Sequence, residues 1–266
     1  MSISTSEFPE ESAPASAPNV DERYLFPGNS AAYRQAVLRG QPIKYPLWGL
    51  GDVLGTAIAA LVLSAFAGYL LLAFRIDAMH SWALLVTLAT PWVAFVGYPY
   101  LAAKYKGNGF RIDIGLTITQ EQLRLAMVAG VISLAVAAAA GLISEKIFGP
   151  ISATAFTAGT KEAGVAGAVF ALLVMSVGPL VEEIAFRGLL LTSLLKREMT
   201  PILANLIAAA VFALCHFEPK RIIILFAVGL VFGEVRRRTG STIACAVTHM
   251  INNAPGAIFL LLAAFH

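Results

Sequence analysis

The sequence predicts an all-α, polytopic membrane helix bundle with about seven transmembrane helices. Hydrophobic residues make up 58% of the 266 residues and charged residues 13%, whereas a soluble domain usually has about 45–50% and about 25%. The charged residues are separated by apolar stretches of about 18 or more residues, which is long enough to cross a hydrocarbon core about 30 Å thick. The stretches lack the alternating pattern of strands, so helices are expected to satisfy the backbone in lipid.

The chain before the first long apolar run divides into two predicted segments. Residues 1–20 are rich in Ser, Pro, Ala and Glu, a composition that favours a disordered tail. Residues 21–51 combine Arg and Lys with Tyr, Phe and Trp, which indicates a juxtamembrane segment at the level of the lipid headgroups. The first long apolar run begins near Val53, too far along the chain for a signal peptide. Residues 52–266 are expected to form one transmembrane domain, with the catalytic helices in 164–265.

Seven segments within that domain have the composition of membrane spans. The sixth is shorter than the others, so it is expected to be tilted or enclosed by its neighbours. In chain order the predicted spans are Val53 to Phe74, Trp82 to Ala102, Leu123 to Ile143, Gly164 to Leu195, Pro201 to Phe217, Ile222 to Val235, and Ser241 to Phe265.

The distribution of Lys and Arg predicts the orientation. With a cytoplasmic N-terminus, 14 of these cations lie inside and 5 outside, as the positive-inside rule favours. The run Arg236 to Arg238 is among the 14, and we interpret it as marking the cytoplasmic end of the sixth span, with contact to anionic lipid as a lesser role. The expected location is the plasma membrane, with membrane lipids as partners. The net charge of +3 without a dense basic face argues against nucleic-acid binding.

Three ionisable residues lie inside the fourth predicted span, where each is a functional hypothesis by default. Glu183 and Arg187 are four residues apart and therefore share a helix face, which predicts a structural ion pair. Glu182 points about 100° away and has no partner on its own helix, so it is the acid available for chemistry. Pro179 leaves the carbonyl of Met175 without its usual donor, which predicts a kink beside the two acids.

A histidine in the fifth span is expected to face Glu182. If the helices on either side of Met199 form a hairpin, Glu182 lies 17 residues before the turn and His216 lies 17 residues after it. At about 1.5 Å per residue, both are roughly 25 Å from the turn. Phe212, one helical turn before His216, is expected to pack beside the imidazole ring. The hairpin also brings both groups near the loop Glu218 to Arg221, which the charge count assigns to the outside.

The last span carries a second histidine and two amides. His249 and Asn253 are four residues apart, and Asn252 is three residues from the histidine, so either amide could reach a ligand placed over that ring. Because the short sixth helix returns the chain toward the Met199 turn, His249 is expected within one or two helical turns of the Glu182 level. The sequence thus predicts that Glu182, His216 and His249 surround one polar cavity, with atoms about 4 to 7 Å apart.

These residues form three motifs in order on successive helices. They are Glu182-Glu183 with Arg187 (EExxxR), Phe212 with His216 (FxxxH), and His249 with Asn253 (HxxxN). In this order and spacing they resemble the CAAX prenyl protease and bacteriocin-processing family, also called the Abi family, whose eukaryotic members are the type II CAAX prenyl endopeptidases. The resemblance covers roughly Gly164 to Phe265. It implies an intramembrane endopeptidase in which Glu182 and His216 activate a water, while His249 and Asn253 polarise the scissile carbonyl and hold the oxyanion.

The residues also support hydrolysis on chemical grounds. Peptide hydrolysis needs a base for water, a donor for the oxyanion and an acid for the leaving amine, and a carboxylate, two imidazoles and an amide cover these tasks. A divalent metal, zinc first, could serve instead, with His216, His249 and Glu182 as ligands and one position open to water. Both mechanisms stay open at this point. HExxH and GxSG motifs are absent from the sequence, whereas GxGD occurs once, at Gly49 to Asp52. The two absences argue against HExxH metalloprotease and serine protease chemistry.

Three functional classes fit the pattern to different degrees. The first is an endopeptidase that cleaves a membrane-associated peptide or protein, the prenylated CAAX type included. The second is a non-catalytic immunity or assembly factor with the same fold, in which loss of Glu182 would leave function intact. The third is a proton-coupled transporter with Glu and His as a relay; the missing inverted repeat and the clustering of every candidate residue in the last four helices disfavour it.

Overall fold

The structure is a computed structural model that describes residues 30–77, 81–151 and 164–263. Within these ranges the chain forms helices and no strands, so the predicted all-α class is confirmed. The predicted tail, residues 1–20, lies outside the described residues, as does the first part of the predicted juxtamembrane segment.

The described residues form the following helices, numbered in chain order. They are α1 (Ala31–Leu38), α2 (Leu50–Ala73), α3 (Ser81–Lys106), α4 (Phe110–Asp113), α5 (Gln120–Phe148), α6 (Gly164–Met175), α7 (Val177–Glu183), a π-helix (Ile184–Leu191), α8 (Thr192–Leu195), α9 (Pro201–Leu214), a 3-10 turn (Pro219–Arg221), α10 (Ile222–Thr239) and α11 (Thr242–Ala263).

Five helical segments in the described part are long and apolar enough to cross a membrane. They are Leu50–Ala73, Leu85–Lys106, Gln120–Phe148, Val165–Leu195 and Thr242–Leu262. The polytopic helical bundle is therefore confirmed, but the count of seven spans is not. The predicted fifth span is the 14-residue helix α9, which is too short to cross alone. The predicted sixth span extends to Thr239 as α10 and ends in three arginines, beyond the boundary expected at Val235.

Local signals set the ends of the helices that carry the site. Thr200 caps α9 by accepting a hydrogen bond from the Leu203 amide, and Pro201 occupies the first helical position, where no amide donor is needed. Helix α10 stops at Gly240, whose φ of 65° is the left-handed conformation that glycine adopts without strain. The Ser241 hydroxyl then accepts a hydrogen bond from the Ala244 amide at the start of α11. These ends leave short connections between α9, α10 and α11.

The fourth predicted span is interrupted rather than continuous. Helix α6 ends at Met175, the residue whose carbonyl Pro179 leaves without a helical donor. Ser176, with φ −119° and ψ −69°, separates α6 from α7. The predicted distortion is therefore present, and it lies between α6 and α7 rather than at Pro179 itself. Immediately after the two acids the chain continues as a π-helix, a form that is rare and frequent at functional sites.

The main core lies where the π-helix, α8, α9 and α10 meet. Phenylalanine rings pack edge to face across it, with ring centroids 5.3 Å apart for Phe186 and Phe212 and 6.3 Å for Phe212 and Phe232. Buried aliphatic residues complete the cluster, among them Leu190, Leu191, Leu194, Leu195, Leu225 and Val228. The aromatic part of this core is also the wall of the candidate site.

The segment before α2 binds to the bundle through Lys196, the residue that follows α8. The Lys196 ammonium donates hydrogen bonds to the carbonyls of Pro46 and Trp48 and lies 4.2 Å from the Trp48 ring. Burial lowers the pKa of Lys196 to about 8. The Trp48 indole donates to the Asp113 carboxylate at 3.0 Å. The juxtamembrane segment is thus joined to both α4 and the helix that follows the two acids.

Candidate active site

Glu182, His216 and His249 come together at one point, as the sequence predicts. The Glu182 Oε2 atom lies 4.0 Å from His216 Nε2 and 4.0 Å from His249 Nε2. Glu182 is the second-last residue of α7, His216 lies in the turn after α9, and His249 lies in α11. The side chains of Glu182 and His216 are 22% and 26% exposed, while that of His249 is 5% exposed. The site is therefore open on the Glu182 and His216 side and closed behind His249.

Hydrogen bonds at the far nitrogens orient both imidazole rings. His216 Nδ1 lies 2.7 Å from the Phe212 carbonyl, and His249 Nδ1 lies 3.0 Å from Glu183 Oε1. A carbonyl and a carboxylate only accept, so each Nδ1 carries the proton and donates it. Both rings consequently point Nε2 toward Glu182. The 4.0 Å gaps exceed a direct hydrogen bond and suit a bridging water.

Aromatic rings fix the two histidines in place. Phe212, which is fully buried, lies edge-on to His216 with ring centroids 4.6 Å apart, as predicted. Phe212 also contacts the His249 ring at 5.8 Å, so one phenylalanine touches both imidazoles. Phe232 of α10 stacks on His249 at 4.5 Å with 25° between the planes. Sequence reasoning missed Phe232, because nothing in its local pattern distinguishes it from other core residues.

The predicted ion pair of Glu183 and Arg187 is present, and it has a further partner. Arg187 Nη1 donates to Glu183 Oε1 at 2.9 Å, and both side chains are fully buried. Arg187 Nη2 donates to the Gly229 carbonyl at 2.9 Å, and the guanidinium lies 4.5 Å from the Phe212 ring centroid. The same Glu183 oxygen accepts the His249 hydrogen bond. Glu183 therefore connects the arginine to an imidazole of the site, a contact across 66 residues that helix spacing does not predict.

Arg236 has a packing role that the interpretation of the basic run at the end of α10 does not include. Its side chain is fully buried and donates to backbone carbonyls instead of pointing into solvent. Nε reaches the Arg187 carbonyl at 3.2 Å, Nη2 reaches the Thr192 hydroxyl at 3.2 Å, and Nη1 reaches the Gly240 carbonyl. Arg236 thus binds the end of the π-helix to α10. Arg237 and Arg238 are exposed and pair with Glu234.

Asn253 lies one helical turn beyond His249 and binds the interruption in the fourth span. Its Nδ2 donates to the Val174 carbonyl at 3.2 Å, close to the break at Ser176. The neighbouring Asn252 donates to Asn253 Oδ1 over a long 3.4 Å contact. One of the two protons of the Asn253 amide is therefore engaged at the Val174 carbonyl.

The three converging side chains have the donor types of a zinc site but not its spacing. In tetrahedral coordination at 2.0–2.1 Å, neighbouring ligand atoms are about 3.3 Å apart, compared with 4.0 Å here. Among the described residues, no group of three or more His, Cys, Asp or Glu is close enough to hold a metal as it stands. The two Nδ1 hydrogen bonds nevertheless give each imidazole the support that metal-binding histidines usually have. The donor chemistry fits zinc after a small approach of the side chains.

Comparisons with known proteins agree with the motifs. Residues 164–255 match the family model described as type II CAAX prenyl endopeptidase Rce1-like. The chain is 30% identical over 99 residues to the membrane-embedded CAAX protease MroQ of Staphylococcus aureus (strain USA300), a match that covers 35% of this chain and 40% of that relative. No solved structure matches the chain significantly. Together with the five apolar helices, these matches indicate a multi-pass integral membrane protein. Residues 164–255 of the chain are therefore similar to the Rce1-like type II CAAX prenyl endopeptidase family.

Proposed function

We propose that this protein is an intramembrane endopeptidase of the plasma membrane. Its substrate would be a membrane-associated peptide or protein, with a prenylated CAAX-type tail as the first class to test. The observation that carries the proposal is the convergence of Glu182 Oε2 on two imidazole Nε2 atoms at 4.0 Å. A carboxylate and two oriented imidazoles around a space for one water can supply the general base and general acid that hydrolysis needs.

In the proposed reaction, Glu182 and His216 activate the water. His216 holds its proton on Nδ1 for the Phe212 carbonyl, so its Nε2 lone pair is available to the water. One water proton passes to the Glu182 carboxylate while the oxygen attacks the scissile carbonyl carbon. Glu182 then returns this proton to the leaving nitrogen as the C–N bond breaks. Exposure of both side chains gives water a route to the site.

His249 and Asn253 stabilise the oxyanion in this proposal. His249 already donates through Nδ1 to Glu183, so it can donate through Nε2 only when both nitrogens are protonated. Glu183 and Glu182 are two carboxylates beside the ring that compensate the charge of this imidazolium. Asn253 adds its second amide proton. Donors of this kind, aimed at charge that forms in the transition state, are worth about 10²–10³ in rate each.

The same residues also define a zinc-dependent form of the proposal. His216, His249 and Glu182 would hold one zinc ion, which would lower the pKa of a bound water and polarise the carbonyl. The two forms require different protonation of His249, because a metal needs the Nε2 lone pair and an oxyanion needs an Nε2 proton. Metal content and activity should be measured before and after a chelator. Activity that falls on chelation and returns with zinc supports the metal form, whereas turnover by metal-stripped protein supports the metal-free form.

The experiment that tests the function compares cells carrying the native protein with cells carrying Glu182→Gln. Membrane-anchored peptides and proteins are quantified by proteomics, and substrates should accumulate uncleaved in the variant. Purified protein should then cleave those candidates, with a prenylated CAAX peptide and its unprenylated form as a matched pair. If cells with Glu182→Gln show the same phenotype as cells with the native protein, the enzyme proposal is contradicted and a non-catalytic membrane partner is favoured.

A further inference from the structure

Two neighbouring cavities open beside the end of α3, away from the residues of the candidate active site. The first has a volume of about 550 Å³ and is lined by Lys44, Tyr100 and Lys104, among others. The second has a volume of about 400 Å³ and includes Arg39 and Arg111 in its lining. They share the wall formed by residues 108–110. Both volumes lie in the range of about 300–1,000 Å³ that small-molecule sites occupy.

Both cavities are lined by basic side chains, and no acidic side chain in either lining balances their charge. Lys44 and Lys104 line the first and Arg39 and Arg111 the second, while neither lining contains Asp or Glu. All four side chains are exposed. The ion pairs found among the described residues involve none of them. Four uncompensated cations around two adjoining cavities favour an anionic ligand.

The shared wall is held by a hydrogen-bond network. The Asn108 side chain accepts from the Lys44 amide at 2.7 Å and donates to the Lys44 carbonyl at 2.8 Å. The Asn108 amide donates in turn to the buried Asp113 carboxylate at 2.7 Å, which also accepts from the Trp48 indole. Burial raises the pKa of Asp113, and its side chain lines neither cavity. Gly109, with φ 99°, makes the turn between Asn108 and Phe110. The wall is therefore preorganised without a ligand.

An apolar stripe on α3 leads to the first cavity. Val86, Val93 and Tyr100 are spaced seven residues apart, which places them on one face two helical turns from each other. Their exposures are 49%, 66% and 43%, and Tyr100 lines the cavity. Lys104 lies one turn further along, with its ammonium 5.8 Å from the Tyr100 ring centroid. An exposed apolar stripe thus ends at a cationic cavity. A molecule that carries acyl chains and a phosphate could contact the stripe with its chains and the cavity with its phosphate.

We infer that these two cavities bind the phosphate-bearing headgroup of an anionic phospholipid whose acyl chains lie along the Val86, Val93 and Tyr100 face of α3. Basic pockets beside membrane helices bind anionic headgroups by charge and hydrogen bonding. Free phosphate would satisfy the same cations but would gain nothing from the apolar stripe. The inference is independent of the proposed peptidase activity, because none of its residues belongs to the catalytic set.

The test measures binding of fluorescent phosphatidylglycerol to the full-length purified protein in a zwitterionic detergent. The cavity variant Lys44→Gln/Lys104→Gln is compared with Arg34→Gln/Arg197→Gln, a control that removes two exposed cations at the same end but outside both cavities. The cavity variant should bind about 30-fold more weakly, and the control should change by less than about threefold. Lys44→Arg/Lys104→Arg keeps the charge and should retain most of the binding. Melting temperatures in phosphatidylcholine nanodiscs verify that all variants fold.

Every outcome of this test decides the inference. Equal binding by the cavity variant and the native protein would overturn it, and so would an equal loss in the control, which would show that surface charge alone attracts the lipid. Inorganic phosphate is the competing arm. If phosphate displaces the lipid at concentrations similar to those of the lipid itself, the cavities are a soluble-phosphate site and the lipid assignment is wrong. Failure of phosphate to compete below a large excess supports the lipid.

Discussion

The fourth apolar segment and the first one have similar hydropathy and opposite environments. In Val165–Leu195, 44% of the most apolar window is buried inside the protein, against 22% in Leu50–Ala73. The first segment turns residues such as Leu61 and Val62 outward, where they are more than 60% exposed. The fourth contains Glu183 and Arg187, both fully buried. Hydropathy therefore identifies what can cross a membrane, while the position of partners for charged groups separates a lipid-facing helix from a helix that carries chemistry.

The largest effect is expected from an acid of the fourth segment, compared with an exposed acid outside it. Glu182→Gln should lower cleavage by about 10³-fold because the carboxylate that accepts the water proton is lost. Its thermal stability should stay near the native value, since Glu182 is partly exposed and its nearest ionic partners are 4.0 Å away. Glu121→Gln, an exposed acid in the first turn of α5, is the matched control. Peptide cleavage and melting temperature are measured together, and comparable losses of activity in both variants would contradict the assignment.

The second prediction separates the contribution of Glu183 to stability from its contribution to activity. Glu183→Gln leaves the buried Arg187 charge uncompensated, which should cost about 3–5 kcal/mol of unfolding free energy. It should also lower activity, because the His249 ring loses the carboxylate that orients it. The double variant Glu183→Gln/Arg187→Gln should recover part of the stability and little of the activity. Denaturant titration and cleavage assays check both; full recovery of activity would show that Glu183 does not act through His249.

The third prediction distinguishes two adjacent amides on α11. Asn253→Ala should reduce turnover by about 10²-fold, the cost of losing one oxyanion donor. Asn252→Ala should change it by less than about threefold, because its recorded contact is a long 3.4 Å hydrogen bond worth under about 1 kcal/mol. Turnover at saturating substrate is the measurement. A larger loss in Asn252→Ala would move the oxyanion assignment to that residue.

The smallest expected effect concerns packing. Leu194, 5% exposed, belongs to the core of the C-terminal helices, and Leu61, 65% exposed, lies on α2. Leu194→Ala should destabilise the protein by about 2 kcal/mol through the cavity that it leaves. Leu61→Ala should stay within about 0.5 kcal/mol, because lipid fills the space of the lost side chain. Unfolding in detergent of both variants gives the comparison; equal values would indicate that Leu61 is covered by protein.

Several features of the site could be predicted from local geometry. The rise per residue placed Glu182 and His216 level across a hairpin, and the 4.0 Å separation confirms that geometry. Spacing of four residues predicted the Glu183 and Arg187 pair. Each of these predictions uses the backbone repeat of one helix or one hairpin. The catalytic roles of Glu182, His216, His249 and Asn253 remain a proposal that the substitutions above test.

Contacts that depend on how helices rotate against one another could not be predicted. The sequence pattern assigns Arg236 to the basic run that marks the end of the sixth span, and it does not show that the side chain is buried against the Arg187 carbonyl. The hydrogen bond from His249 to Glu183 links residues 66 apart. The seven-span count is not confirmed, for a similar reason: α9 is short and α10 ends in charged residues, and composition alone does not show which apolar helix is enclosed by protein.

The sequence by itself determined the class of the molecule and the identity of the polar residues inside it. Apolar length fixes membrane helices because unpaired backbone groups are costly in lipid, and charges within such helices require partners. Only the tertiary structure decided which partners they have: Glu183 holds both Arg187 and His249, and Arg236 holds the π-helix. The reason is physical, since lipid and protein interior are equally apolar and the direction of each helix face is set by packing with distant segments.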